Sequence, residues 1–172
     1  MIGHAVGDAL GVPVEFKTRE KISKAPVTDM TGFGTYPYPK GTWSDDTSMS
    51  LAALDSLAKG EIDWDEIMKN FRKWLDDGEY TPWGKPFDVG RTCLKAIVNY
   101  FTNNIEAFQS GGSSALSNGN GSLMRIHPFV LYLYTKGNLD LDTIHNASAL
   151  THAHDRSKMA CGIYAFVLNE YQ

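Results

Sequence analysis

The sequence predicts an all-α fold. Apolar residues recur at helical spacing in several segments, Gly-rich stretches separate those segments, and no convincing run of alternating apolar and polar residues indicates a strand. A length of 172 residues suits one domain with a buried core. Residues 1–172 are therefore predicted to form a single helical domain.

Eight segments are predicted to be helical, in chain order: 2–10, 46–59, 63–77, 89–101, 105–109, 122–135, 141–150 and 155–171. Between the first two, the Gly-, Pro- and Tyr-rich residues 17–42 have no clear period and are expected to form a long loop of the kind that often carries function.

Single residues support several of these helices. Gly60 ends the second, whose apolar stripe consists of Met49, Leu51, Ala52, Leu54, Leu57 and Ala58. Asp63 and Glu66 resemble a capping box for the third, and Gly78 ends it. The fourth carries Leu94, Ile97, Val98 and Phe101 on one face. Pro128 should kink or break segment 122–135.

Composition narrows the class of protein. A net charge of −4 argues against a nucleic-acid binder, which usually has a basic footprint. Cys93 and Cys161 lack CxxC spacing and are expected to be buried free thiols in a reducing compartment. No signal peptide and no membrane-spanning apolar run is visible, so a cytoplasmic protein without membrane association is expected.

The most informative segment is Gly41-Thr42-Trp43-Ser44-Asp45-Asp46-Thr47-Ser48-Met49, directly before a helix. A helix N-cap needs one oxygen-bearing side chain, and residues 44–48 supply five. Such clusters also suit Mg²⁺, Mn²⁺ or Ca²⁺. From this segment alone, capping and metal binding are equally good interpretations.

Three other segments allow both structural and functional interpretations. Glycines 3, 7 and 11 give the first helix a smooth face for close packing, and Glu15 follows at its end, where a carboxylate is unfavourable for the helix dipole. The Gly-rich residues 117–125 could form a plain turn or bind an anion through free N–H groups. The segment Thr151-His152-Ala153-His154-Asp155 could supply metal ligands or be a polar loop with Asp155 as helix cap.

Taken in order, five segments resemble the ADP-ribosylglycohydrolase family, which includes the dinitrogenase reductase-activating glycohydrolases. They are Gly7-Asp8-Ala9-Leu10-Gly11 with Glu15, then residues 41–49, Phe87-Asp88-Val89-Gly90-Arg91-Thr92, Gly119-Asn120-Gly121-Ser122-Leu123-Met124-Arg125 and Thr151-His152.

This resemblance implies an orthogonally packed helical fold, a cleft with two Mg²⁺ or Mn²⁺ ions, and removal of ADP-ribose from proteins or small ADP-ribosyl conjugates. Metal ions can hold ribose hydroxyls and activate a water, while a carboxylate serves as acid or base. By position it implies catalytic roles for Glu15, Asp45 and Asp88, metal binding by Ser44, Asp45 and Asp46, and substrate binding by Gly119, Asn120, Gly121, Ser122, Met124 and His152.

The resemblance also implies a second half of the family fold, with an Asp-x-Asp-Thr metal segment, that this chain lacks. Asp140-Leu141-Asp142-Thr143 matches that pattern but falls at an ordinary helix start, where Asp140 is expected to be a cap. The metal site should then have an incomplete ligand set, and uncovered apolar surface should favour a homo-oligomer. A non-catalytic ADP-ribose binder and an interaction protein remain alternatives.

Overall fold

The computed structural model describes residues 1–171, and Gln172, the last residue of the predicted domain, lies outside the described residues. The chain forms α-helices joined by loops and short 3₁₀ turns, and between residues 1 and 171 it contains no strand beyond a single bridge joining Gly112 and His152. The all-α prediction is confirmed, while the single-domain assignment stays a prediction. The helices are α1 (Ile2–Gly11), α2 (Arg19–Lys24), α3 (Asp45–Leu57), α4 (Trp64–Asp77), α5 (Arg91–Asn103), α6 (His127–Thr135), α7 (Leu141–Ala149) and α8 (Asp155–Glu170).

Three segments differ from the sequence-based prediction. The predicted loop 17–42 contains α2, which Thr18 caps by accepting a hydrogen bond from the Lys21 backbone N–H. Segment 105–109 is only a 3₁₀ turn. Segment 122–135 is a 3₁₀ turn followed by α6, and Pro128 lies in the first turn of α6, where its missing N–H costs no helical hydrogen bond. Pro128 thus marks a break in the predicted helix, one of its two predicted effects, and does not kink it.

The core is built around α3 and α4. On α4, Ile67, Phe71 and Trp74 are fully buried, as the helical spacing predicts, and Gly78 ends the helix in the left-handed conformation at φ 71°. Helix α3 packs against α4, α6 and α1, and α7 packs against α8. The N-terminus of α3 is thereby held between α1 and the rest of the core.

The apolar face identified on α5 is mostly not the face that this helix buries. Ile97 is buried, but Leu94, Val98 and Phe101 are each about 40% exposed, and the residues buried beside Ile97 are the smaller Cys93 and Ala96. Helical spacing identifies apolar stripes, but it does not say which of two adjacent stripes meets a neighbour. Small side chains on the second stripe let α5 lie close to the core.

Helix α8 carries an exposed apolar stripe. Met159, Ile163 and Phe166 are each 60% exposed or more, whereas Cys161 and Ala165 on the opposite side are buried. The homo-oligomer expected to cover such surface stays a prediction, which sedimentation velocity over a concentration series checks. In the part of the chain that the structure describes, no helix has the length and apolar character needed to cross a membrane. Both cysteines are buried free thiols, as predicted.

Candidate active site

The acidic segment lies at the N-terminus of α3. Ser44 is the N-cap, and its hydroxyl accepts a hydrogen bond from the Asp46 backbone N–H at 3.3 Å. Asp45 is 5% exposed although no side-chain ion pair within residues 1–171 involves it. The capping interpretation therefore holds for Ser44, but capping does not account for the two acidic residues that follow it.

Asp8 of α1 fixes this segment from outside. Its carboxylate accepts four hydrogen bonds from the start of α3: from the Ser44 backbone N–H at 2.9 Å, the Ser44 hydroxyl at 2.8 Å, the Thr47 backbone N–H at 3.1 Å and the Thr47 hydroxyl at 2.7 Å. A negative charge at a helix N-terminus is also favourable for the helix dipole. Sequence reasoning assigned no role to Asp8, and its only signal was its place between two glycines of the first motif.

Glu15 and Asp88 approach the cleft from two loops. Glu15 directly follows the 3₁₀ turn at the end of α1, and its carbonyl accepts a hydrogen bond from the Thr35 hydroxyl at 2.6 Å. Asp88 has φ 56°, a left-handed conformation that is uncommon for a residue with a side chain. Both lie beside Tyr36, whose ring contacts Phe87 with centroids 4.9 Å apart.

Burial and neighbouring carboxylates raise the pKa values of three acids in the cleft: Glu15, Asp45 and Asp46. Burial, then the neighbouring charges of Asp46, Asp88 and Asp8, raises the pKa of Asp45 to about 9. Burial is also the first cause that raises the pKa of Asp46. Burial and the adjacent Asp88 raise the pKa of Glu15 to about 7, although Tyr36 partly opposes this. A carboxyl group that titrates near neutral pH is suited to donate and accept a proton in one reaction cycle.

The Gly-rich loop forms the opposite wall of the cleft. A Cβ on Gly121 would lie 2.7 Å from Cε1 of His152 and 2.8 Å from Sγ of Cys93, so the backbone approaches both residues as closely as only glycine allows. Ser122 is 1% exposed, and its hydroxyl accepts hydrogen bonds from Ser148 at 2.9 Å and Cys161 at 3.5 Å. The Ser122 hydroxyl thus faces the core, and Ser122 is not among the residues that line the cleft with Glu15, Asp45 and Gly121.

Most of the predicted site residues line one cleft of about 330 Å³. It brings together the following predicted residues: Glu15, Asp45, Asp46, Asp88, Gly119, Asn120, Gly121, Met124 and His152. Ser44 lines an adjoining cleft of about 510 Å³ that shares Glu15, Asp46, Asp88 and Asn120 with the first. Five segments far apart in sequence therefore meet around one space, while the roles of their residues stay predictions.

The glycine face of α1 borders this second cleft. Gly3, Gly7 and Gly11 all line it, and a Cβ on any of them would meet no atom within 4 Å. The expectation that these glycines let another element pack closely is therefore wrong for the described residues. Here they widen the cleft next to the acidic segment.

The two histidines of residues 151–155 have separate positions. His152 is 2% exposed and faces the cleft, whereas His154 is the N-cap of α8 and accepts a hydrogen bond from the Arg156 backbone N–H at 3.2 Å. The cap is thus His154 and not Asp155. Asp140 caps α7 by accepting hydrogen bonds from the backbone N–H groups of Asp142 and Thr143, which confirms its predicted capping role.

The chemistry of the cleft suits a hard divalent cation, but its ligand set is incomplete. Carboxylate and hydroxyl oxygens are the ligands that Mg²⁺ and Mn²⁺ prefer, and crowded acids without a cationic partner gain from a bound cation. Across residues 1–171, however, no three His, Cys, Asp or Glu side chains are grouped so as to hold a metal ion. Ser44, Asp45 and Asp46 can therefore supply only part of a coordination shell.

On this all-helical fold, an acidic helix N-terminus and a Gly-rich loop line the same cleft. The model of the ADP-ribosylglycohydrolase family matches residues 1–171, and the chain belongs to that family. It spans about half the length of the curated relatives it matches.

Characterised relatives agree with this assignment. Over 98% of its length the chain is 29% identical to the ADP-ribosylarginine hydrolase Tri1 of Serratia proteamaculans (strain 568), of which it covers 45%. Over 93% of its length it is 39% identical to the ADP-ribosyl-[dinitrogen reductase] glycohydrolase of Rhodospirillum rubrum, of which it covers 52%. A solved chain from an ADP-ribosylglycohydrolase-related protein complex superposes with a TM-score of 0.82 at 29% identity, over 98% of this chain and 53% of that one.

Proposed function

We propose that this chain provides the catalytic cleft of an enzyme that hydrolyses the glycosidic bond between ADP-ribose and a protein side chain or a small conjugate. The observation that carries the proposal is the meeting of Glu15, Asp45, Asp46 and Asp88 with the Gly119–Gly121 loop around one cleft. The acids suit a sugar that develops positive charge as its bond breaks, and the loop suits the diphosphate. The named relatives act on ADP-ribosylated arginine or on ADP-ribosylated dinitrogen reductase, which supports a modified protein as substrate.

In this mechanism the acidic residues of the cleft have two roles, proton transfer and metal binding. Glu15, with a pKa of about 7, would donate a proton to the leaving group or accept one from the attacking water, and burial together with Asp88 keeps that pKa raised. Asp45 and Asp46, with Ser44, would hold Mg²⁺ or Mn²⁺, which supplies positive charge that orients the ribose hydroxyls. Water or further ligands would complete the coordination shell.

Backbone and ring groups bind the substrate on the other wall. Gly119, Asn120 and Gly121 can approach the diphosphate through N–H groups, since they lie just before the 3₁₀ turn that begins at Leu123. Met124 contributes an apolar surface to the same cleft, and the imidazole of His152 also lines it. This wall fixes the ligand so that its glycosidic bond faces the acids.

Single-turnover release of ADP-ribose from an ADP-ribosylated arginine peptide tests the proposal. With excess Mg²⁺ or Mn²⁺, the double variant Asp45→Ala, Asp46→Ala should lose at least a hundredfold in rate. The matched control Asp140→Ala, Asp142→Ala removes two acids of the other acidic segment and should stay within twofold of the unmodified chain. Equal rates for the unmodified chain and the Asp45, Asp46 variant would remove the metal-assisted mechanism.

The same assay separates the alternative of a non-catalytic ADP-ribose binder. Such a protein would bind ADP-ribose with or without a chelator and would release none from the peptide. Calorimetric titration of ADP-ribose with and without EDTA, run beside the turnover assay, distinguishes the two outcomes.

A further inference from the structure

Arg125, the last residue of the Gly-rich motif, is a buried cation without an acidic partner. It is completely buried, and its Nε and Nη1 atoms have no hydrogen-bond partner among the described residues. Its guanidinium lies 5.0 Å from the centroid of the Phe71 ring, and Nη2 donates to the Ala147 carbonyl at 3.0 Å. An unpaired buried charge is costly, so a buried guanidinium suggests a role that a neutral side chain would not provide.

One hydrogen bond of Arg125 connects it, through Thr151, to His152 in the cleft. Nη2 also donates to the Thr151 hydroxyl at 2.7 Å, and the same hydroxyl oxygen lies 2.9 Å from Nδ1 of His152. Thr151 is fully buried, so bulk water does not compete for these positions. The three side chains form a chain of hydrogen bonds from the core to the imidazole that faces the Gly-rich loop.

The direction of each hydrogen bond follows from what each group can donate. Arginine only donates, so the Thr151 oxygen accepts from Arg125 and keeps its single proton for another acceptor. Two acceptors are near: Nδ1 of His152 and the sulfur of Cys93, which also lies beside Thr151. Thiol sulfur is the weaker acceptor, so Nδ1 is the favoured acceptor for this proton. An unprotonated Nδ1 leaves the proton of a neutral imidazole on Nε2.

The imidazole of His152 is neutral near pH 7. Burial and the nearby positive charge of Arg125 lower the pKa of His152 to about 4. Its backbone is also fixed, because the Gly112 N–H donates to the Thr151 carbonyl at 3.0 Å and the Ala153 N–H donates to the Gly112 carbonyl at 2.8 Å. Nε2, which would lie 3.6 Å from a Cβ on Gly119, has no hydrogen-bond partner within residues 1–171.

We propose that Arg125, acting through the Thr151 hydroxyl, is a positioning residue that holds His152 as the Nε2–H tautomer and so presents a hydrogen-bond donor to the cleft beside Gly119. The ligand chemistry that fits is an acceptor oxygen of a phosphate or a sugar hydroxyl. This identification of the ligand depends on the proposed function, whereas the tautomer does not.

The tautomer is measured directly by long-range ¹H–¹⁵N correlation spectra of protein labelled with ¹⁵N-histidine at pH 7, without ligand. The His152 signals are assigned by their loss in a His152→Asn variant. In the unmodified protein we expect a protonated, pyrrole-type shift for Nε2 and an unprotonated, pyridine-type shift for Nδ1. A protonated Nδ1 would overturn the proposal.

Substitutions at Thr151 test the connection to Arg125. Thr151→Val keeps the shape but removes the hydroxyl and should replace the single tautomer by a mixture, whereas Thr151→Ser restores the hydroxyl and should restore the spectrum. Thr42→Val, which removes another buried threonine hydroxyl bonded to the Pro39 carbonyl, serves as the control and should leave His152 unchanged. A Thr151→Val spectrum identical to that of the unmodified protein would refute the role of the Thr151 hydroxyl.

Binding gives a second readout. ADP-ribose affinity should fall about three- to tenfold in Thr151→Val and stay within twofold in Thr151→Ser, the range expected for one net hydrogen bond. If the unmodified protein bound no ADP-ribose, the proposed function would fail while the tautomer measurement would still decide the proposal about Arg125. An unchanged affinity in Thr151→Val together with an altered tautomer would refute the donor role of His152.

Discussion

Removal of the Asp8 carboxylate should destabilise the protein more than removal of an ordinary helix cap. Asp8→Ala deletes the acceptor of four hydrogen bonds from the start of α3, and all four donors belong to Ser44 and Thr47, which are 4% and 2% exposed. A hydrogen bond to a charged group contributes about 1.5–3 kcal/mol. Because Asp8 borders an open cleft, water can replace part of this, and we expect a total loss of about 3 kcal/mol.

For a domain of this size, about 1 kcal/mol corresponds to about 2–4 °C in melting temperature, so Asp8→Ala should lower it by about 6–12 °C. Asp140→Ala is the matched control, because Asp140 caps α7 from a partly exposed position, and it should cost only about 1 kcal/mol. Both are measured by calorimetry and urea unfolding without added metal. Equal losses in the two variants would refute the claim that Asp8 anchors the acidic segment.

Three further outcomes follow from the structure. The fold raises the pKa of Asp45 from 3.8 to about 9, so protonated Asp45 stabilises the folded protein fully below pH 3.8, and this stabilisation is lost as the pH rises toward 9. The unfolding free energy of the metal-free protein should therefore fall between pH 5 and 9, and it should fall less steeply in Asp45→Asn. Gly34→Ala places a Cβ 1.9 Å from a neighbouring backbone oxygen and should cost about 1–3 kcal/mol in urea unfolding, whereas Gly3→Ala, in open space on a helix, should be neutral or slightly stabilising. Gly121→Ala, with its Cβ 2.7 Å from Cε1 of His152, should abolish ADP-ribose binding in calorimetry while the far-ultraviolet circular dichroism stays helical; retained binding would show that the loop does not contact the ligand.

Helices with a strong apolar stripe could be predicted from the sequence because spacing and end signals agree. On α4, the cap at Asp63, the buried Phe71 and Trp74, and the left-handed Gly78 all correspond to the predicted pattern. On α5 the spacing was equally regular, but the helix buries the neighbouring stripe with Cys93 and Ala96. The choice between two stripes depends on long-range packing, and local spacing carries no information about that packing.

The site could be predicted only in part, for a related reason. Short motifs indicated Glu15, Asp45, Asp46 and the Gly119–Gly121 loop, and the fold brings them to one cleft. Asp8 and Arg125 lie within the same motifs, but each contacts residues more than twenty positions away. Their partners exist only in the folded chain, so sequence reasoning had no means to assign them a role.

Asp8 and Arg125 suggest a common principle for this cleft. Each is a charged side chain that supports a predicted functional group through hydrogen bonds: Asp8 supports the Ser44–Asp46 segment, and Arg125 supports His152. A reactive group is held accurately when the residue supporting it is itself fixed by several contacts. Asp8 is fixed by the four hydrogen bonds that it accepts, and Arg125 is fixed by complete burial against Phe71. Their charges suit their different contacts: the carboxylate accepts hydrogen bonds from N–H and O–H donors at a helix start, and the guanidinium donates to the Thr151 hydroxyl that lies beside His152. Exchanging either for its neutral analogue should therefore impair the cleft through the position of Ser44 at Asp8 and through the proposed His152 tautomer at Arg125.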